Sequence, residues 1–146
     1  MKIRIIKKEE MKDALELVWQ VFLEFEAPDY TDEGINEFKK SLDDNNWVNA
    51  RVFYGAFNEE NKLIGVIATK DITHIALFFV KGEYHKQGIG RKLYEKVKSI
   101  NDKDVFTVNS SPYAHEIYKH IGFVDTDTEQ CINGLKFYPM KQIFKN

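Results

Sequence analysis

The sequence holds one cysteine, Cys131, which excludes an intramolecular disulfide, and no Cys/His spacing resembles a zinc site, so no metal is expected. It lacks a basic excess. Its 21 Lys and Arg stand against 23 Asp and Glu, a net charge of −2, where a general nucleic-acid binder carries clear positive charge. It also lacks long apolar runs. The longest is Ile75-Ala76-Leu77-Phe78-Phe79-Val80, too short to span a bilayer but suited to a strand buried on both faces. Met1 to Glu10 is basic with no apolar stretch behind it, so no secretory leader is expected. Repeats, linkers and low-complexity tracts are missing too. These absences point to a single domain over residues 1–146 in a reducing, cytoplasmic setting, with no membrane or nucleic-acid partner.

What is present reads as alternating elements. Lys2 to Ile6 is a β-branched run that suits a first strand. Met11, Ala14, Leu15, Val18, Phe22 and Phe25 recur at helical spacing across Glu9 to Glu26. Pro28 breaks that helix, and Asp32 and Glu33 suit the first turn of a second, ended by Asp43-Asp44-Asn45-Asn46. Trp47 to Asn58, Lys62 to Asp71 and His74 to Val80 read as three strands. Gly88 to Ile100 reads as an amphipathic helix and Asp104 to Val108 as a strand. Ser111-Pro112 opens a short helix that Gly122 stops. Phe123 to Asp127 and Leu135 to Ile143 are the last strands, paired through a turn at Asn133-Gly134, with Pro139 suggesting an edge or a bulge. The predicted order is βααβββαβαββ.

The chemistry is concentrated in Val80 to Leu93. There a buried strand runs into a glycine-bearing loop, and the loop opens a helix. First-turn N–H groups have no intrahelical partner and sit at the positive end of the helix dipole. Glycines let a phosphate approach that backbone, and Lys86, Arg91 and Lys92 add positive charge. The pattern is neither a Walker A loop nor a dinucleotide fingerprint. Taken alone, Gly88 and Gly90 would serve a tight turn as well as a phosphate.

His85-Lys86-Gln87-Gly88-Ile89-Gly90 resembles the acyl-coenzyme A loop of the GNAT (GCN5-related) N-acetyltransferase superfamily, Arg/Gln-x-x-Gly-x-Gly/Ala. His85 departs from it, standing where the family usually has Arg or Gln. Asn109, Ala114, Tyr118 and Gly122-Phe123 resemble the family's next motif, Asn…Ala…Tyr…Gly-Phe. The resemblance runs along nearly the whole chain. It implies an α+β fold: a central, mostly antiparallel mixed sheet of about seven strands with helices on both faces. It also implies acetyl transfer from acetyl-coenzyme A directly to an amine.

Carried over by position, the resemblance has Gln87, Gly88, Ile89 and Gly90 donate backbone N–H groups to the pyrophosphate, and His85, Lys86 and Arg91 are counted with them as cofactor-binding. It assigns Val80 to the pantetheine arm, Phe79 to the neighbourhood of the acetyl carbonyl, and Asn109 to the cofactor from across a splayed strand pair. Tyr118 becomes the general acid for the leaving thiolate, since a phenol near its usual pKa of about 10 matches a thiolate of similar basicity. The general base stays open among Glu24, Glu26, Asp29, His74 and a water chain.

Charge bears on the acceptor. Val21 to Asn46 has eight acidic and two basic residues, a balance of −6, and Lys81 to Lys103 has seven basic and three acidic, a balance of +4. The basic segment suits coenzyme A, and the acidic one would attract a cationic small-molecule or peptide amine. From family habit, the strands from Phe123 onward are a candidate homodimer edge. Two rival readings are a non-catalytic acyl-coenzyme A sensor or scaffold and a nucleotide binder.

Overall fold

The computed structural model describes residues 1–144. Eight strands form one mixed sheet in the order β1-β2-β3-β4-β5-β8-β6, with β7 paired to β8. The strands are β1 (Lys2–Ile5), β2 (Val52–Phe57), β3 (Leu63–Lys70), β4 (His74–Val80), β5 (Val105–Ser110), β6 (Val124–Asp125), β7 (Gln130–Ile132) and β8 (Leu135–Ile143). Every pairing is antiparallel except β4 with β5. The helices are α1 (Met11–Val21), α2 (Asp32–Asp43), α3 (Asn45–Asn49), α4 (Ile89–Ile100) and α5 (His115–His120).

The sheet separates two cores. On one side Val18, Phe22 and Leu42 from α1 and α2 pack on Phe53, Leu77 and Phe79. On the other, Leu93, Tyr94 and Val97 from α4 pack on Ile67, Phe106 and Phe123. Helices thus cover both faces, as the resemblance implied, and the apolar periodicity of α1 and α4 is what docks them.

Four details differ from the sequence reading. Trp47 lies in α3, not in a strand, because the Asp44 carboxylate caps a new helix by accepting from the N–H groups of Asn46 and Trp47. The strand therefore starts at Val52. The first helix does not run regularly to Glu26 but ends in a π turn over Phe22–Glu26. The Asn133-Gly134 turn joins β8 to an extra strand, β7, rather than to β6, which makes eight strands where about seven were expected.

Finally, Pro139 is not on an edge. β8 lies between β5 and β6, and the Pro139 carbonyl accepts from the N–H of Thr126. The proline nitrogen, on the same side of the strand as its carbonyl, therefore faces the gap between β6 and β7, where no ladder bond is lost.

The feature that positions the site is a failure of pairing. β4 and β5 register at only two positions, His74 with Thr107 and Ile75 with Val108, and then part. Ala76 is an extra residue opposite the Ala68–Thr69 step of β3. It flips the alternation of β4, so Ile75 packs with the α4 core while Leu77 and Phe79 pack with the α1 core. This is also why the apolar run Ile75–Val80 is not buried throughout: Ala76, Phe78 and Val80 are half-buried along the gap.

Candidate active site

Two cavities open beside the parted strands. One, of about 420 Å³, is lined by β4 from Phe78 to Val80, by the loop residues Tyr84, His85, Lys86 and Gly88, and by Ile89, Gly90 and Arg91 of α4. The other, of about 380 Å³, lies between α2, α3, the start of β4, the end of β5 and the β7–β8 hairpin. Both are lined by Glu26, Phe78, Phe79, Ala114 and Tyr118. The cavities therefore meet at a carboxyl and a phenol.

The loop is built for close approach to its backbone. Gly88, which caps α4, has φ of +80°. A Cβ on Gly88 would find open space, and one on Gly90 would make only ordinary contacts with Phe78 and Val80. Packing therefore demands neither glycine. Gly88 is required by its backbone angle, and Gly90 leaves room in the cavity above the first turn. Unpaired N–H groups, a helix dipole and a gap that a side chain would narrow together fit a phosphate-bearing ligand.

Along β4 the backbone directions follow from one bond. Lys81 donates its N–H to Ile64 on β3, so Phe79 and Lys81 face β3, and the peptide groups of Phe78 and Val80 face the gap. The His85 Nε2 lies 2.7 Å from the Val80 carbonyl oxygen and donates to it, while its ring packs 4.8 Å from that of Phe25. His85 thus pins the loop to the end of β4. With the carbonyl engaged in this way, the Val80 N–H is the group left for a ligand at the gap. Gln87 is exposed and outside the lining, its side-chain amide donating to the Glu83 carbonyl.

The positions around the meeting point are set by irregular backbone. The π turn and the following 3-10 turn through Ala27–Asp29 bring Glu26 to the cavities, and such turns are frequent at functional sites. Burial pushes the Glu26 carboxyl up to about 7, against a hydrogen bond from Ser111 that favours its charged form. Tyr118 is buried on α5, its ring edge-on to Phe78 and Phe123. Burial and then Glu26 hold its phenol well above the usual value. The simple match to a thiolate drawn from an ordinary phenol therefore gives way to a donor that stays protonated at every working pH.

Of the base candidates, Glu26 lines both cavities and His74 only the second, while Glu24 and Asp29 line neither. The His74 imidazole is pushed down by burial and then by Arg51 and Lys70, and its Nδ1 lies 2.8 Å from the Thr107 hydroxyl. Asn109 lines the second cavity, not the loop cavity. Of the acidic segment only Glu26 and Glu37 line the second cavity, so most of its negative charge lies outside it. Sequence reading missed Arg51 and Glu37 in this lining. Neither lies in a motif, and no sequence signal marked them. Among the described residues no group of three or more His, Cys, Asp or Glu could hold a metal ion. Also among them, no helix is long and apolar enough to cross a membrane.

Comparison with known proteins agrees with this fold. A GCN5-related N-acetyltransferase from Rhodopseudomonas palustris superposes with a TM-score of 0.80 at 16% identity, over 98% of this chain and 95% of that one. The PaiA N-acetyltransferase from Thermoplasma acidophilum, solved with coenzyme A, gives 0.77 at 21%, over 99% and 100%. An aminoglycoside 6'-N-acetyltransferase, also with coenzyme A, gives 0.67 at 12%, over 100% and 98%. No curated protein sequence matches. The family described as "Acetyltransferase (GNAT) domain" matches residues 26–144, which takes in the parted strands, the glycine loop and Tyr118. The chain belongs to the GNAT acetyltransferase family.

Proposed function

We propose that the chain works as one acetyltransferase domain that transfers the acetyl group of acetyl-coenzyme A directly to a primary amine of a small molecule or peptide. The observation that carries this reading is the meeting of two cavities at Glu26 and Tyr118, one shaped for a phosphate-bearing donor and the other open to an acceptor. Two relatives in fold were solved with coenzyme A, which supports that donor. The N–H groups of Gly88 to Arg91 hold the pyrophosphate, with Lys86 and Arg91 adding charge and Gln87 contributing backbone alone. The N–H groups of Phe78 and Val80 face the gap and serve the pantetheine and the acetyl oxygen. Phe79 walls the gap with its side chain, and Asn109 lies on the acceptor side.

The chemistry needs a neutral amine and a protonated thiol. An alkyl amine is charged at neutral pH. Glu26, near 7, removes its proton. The amine nitrogen attacks the thioester carbon, and the resulting oxyanion is held by the β4 N–H groups. The C–S bond then breaks, Tyr118 supplies the proton to the sulfur, and the second proton lost by the amine nitrogen restores the phenol. Because burial keeps that phenol protonated, it is always in the donor form.

The test is thiol release from acetyl-coenzyme A over polyamines, amino acids, aminoglycosides and lysine peptides, run beside Tyr118→Phe. Release that depends on both an acceptor and Tyr118 supports the reading. Tight coenzyme A binding with no release over background for any acceptor favours a sensor or scaffold, and stabilisation by ATP alone favours a nucleotide binder.

A further inference from the structure

The second cavity holds a cation that the reaction does not use. Arg51 follows α3 and is half-buried in the lining. Its Nη1 donates to the Trp47 carbonyl at 2.7 Å, and its guanidinium lies 3.6 Å from the centroid of the Trp47 ring. Its Nε is buried with no hydrogen-bond partner among the described residues. No carboxylate there makes an ion pair with it. The opposite charge that acts on it is Asp71, and burial outweighs it. His74 stands beside it, kept neutral in part by the same charge.

This end of the cavity is therefore a positive pole that Asp71 balances only at a distance and without an ion pair, which leaves the guanidinium open to a ligand anion. The other charged members of the lining are Glu26 at the junction, and Glu37 and Lys136 on the wall between α2 and the hairpin. There Asn133 donates to the Glu37 carboxylate.

We propose that Arg51 is a specificity-determining residue that binds the carboxylate of an acceptor whose amine lies at Glu26. The proposal rests on the acetyltransferase reading above. A planar guanidinium held on a tryptophan face, with Nη1 bonded to a carbonyl and Nε closed off, has Nη2 left to meet a carboxylate in a fixed direction, which suits that group better than a diffuse positive charge would.

The strand sets the length of the acceptor. From His74, beside Arg51, to Phe78, beside Tyr118, β4 spans about 10–13 Å, allowing for the extra residue at Ala76. An extended chain covers that with about three peptide residues. The acceptor is thus an amine and a carboxylate at opposite ends of an extended chain, as in a free tripeptide or a long ω-amino acid.

Thiol release is measured for acceptor pairs that differ only in carboxylate against carboxamide: triglycine with its amide, and aminooctanoate with its amide. Diaminopentane serves as an acceptor with no anion. The wild-type enzyme is expected to prefer the acid by about tenfold or more in kcat/KM, chiefly through KM. Arg51→Met is expected to bring that ratio to near one, and Arg51→Lys to keep part of it. The pair that shows the preference identifies the peptide or the amino acid as the source. Equal use of acid and amide by the wild-type enzyme, with diaminopentane turned over, overturns the anchor and leaves the acetyltransferase reading standing. A loss in Arg51→Met that is equal for acid and amide assigns Arg51 a structural role and also overturns it. No release with any acceptor overturns both.

Discussion

Replacing Glu26 with Gln separates its chemistry from its cost. Its carboxyl is lifted from 4.5 to about 7, chiefly by burial. Between those values the folded state holds a proton that the unfolded state has released, so stability falls as pH rises through that window. Above pH 7 the ionised group carries the full penalty, nominally about 3 kcal/mol at 1.36 kcal/mol per tenfold. Screening by solvent at the cavity mouth reduces this to about 1–2 kcal/mol. Glu26→Gln keeps the shape and removes the charge. At pH 8 it is expected to raise Tm by about 3–6 °C, and at pH 4, where both forms are neutral, to change it little.

Activity moves the opposite way. The kcat/KM of the wild-type enzyme rises with an apparent pKa of about 7 as Glu26 ionises, and the variant loses this limb together with about 10²–10⁴-fold in rate. The assays are calorimetry and thiol release, each run from pH 4 to 9. A variant that is no more stable at pH 8 refutes the burial argument. A variant that keeps the limb near pH 7 refutes the base assignment.

Three further outcomes follow from the same geometry. Tyr118→Phe is expected to lower kcat by about 10²–10³-fold while leaving the coenzyme A Kd, measured by titration calorimetry, nearly unchanged. Gly90→Ala should keep or raise Tm, because a Cβ there meets only ordinary contacts and alanine favours a helix by about 0.5–1 kcal/mol; the same change should weaken coenzyme A binding by about tenfold. Gly34→Ala is expected to cost about 1–3 kcal/mol in urea unfolding, because a Cβ on α2 would collide with the Gly134 carbonyl of the β7–β8 turn.

Gly34 shows how far the sequence reached. In the chain it is a weak residue in the first turn of a helix. In the structure it is the point where α2 and the hairpin backbone touch, a contact between residues 100 positions apart. The order of elements along the chain and the loop before α4 were legible because each rests on local periodicity, capping and glycine placement, whereas the helices on both faces were implied by the family resemblance. Trp47 was misplaced for a local reason as well. Asp44-Asn45-Asn46 ends one helix and starts the next, and the cap was read only as a stop.

The sequence by itself determined the alternating order of elements and the glycine loop at a helix start, since spacing along the chain is enough to place these, while the family motif it carries implied the mixed sheet and singled out Tyr118. Only the tertiary structure decided which carboxylate lines both cavities with Tyr118, that His85 ties the loop to Val80, that Asn109 lines the second cavity, and that Arg51 stands there without an ion pair. Those facts depend on where β4 and β5 part and on an irregular turn after α1. Both arise from packing between segments distant in sequence, which local pattern does not encode.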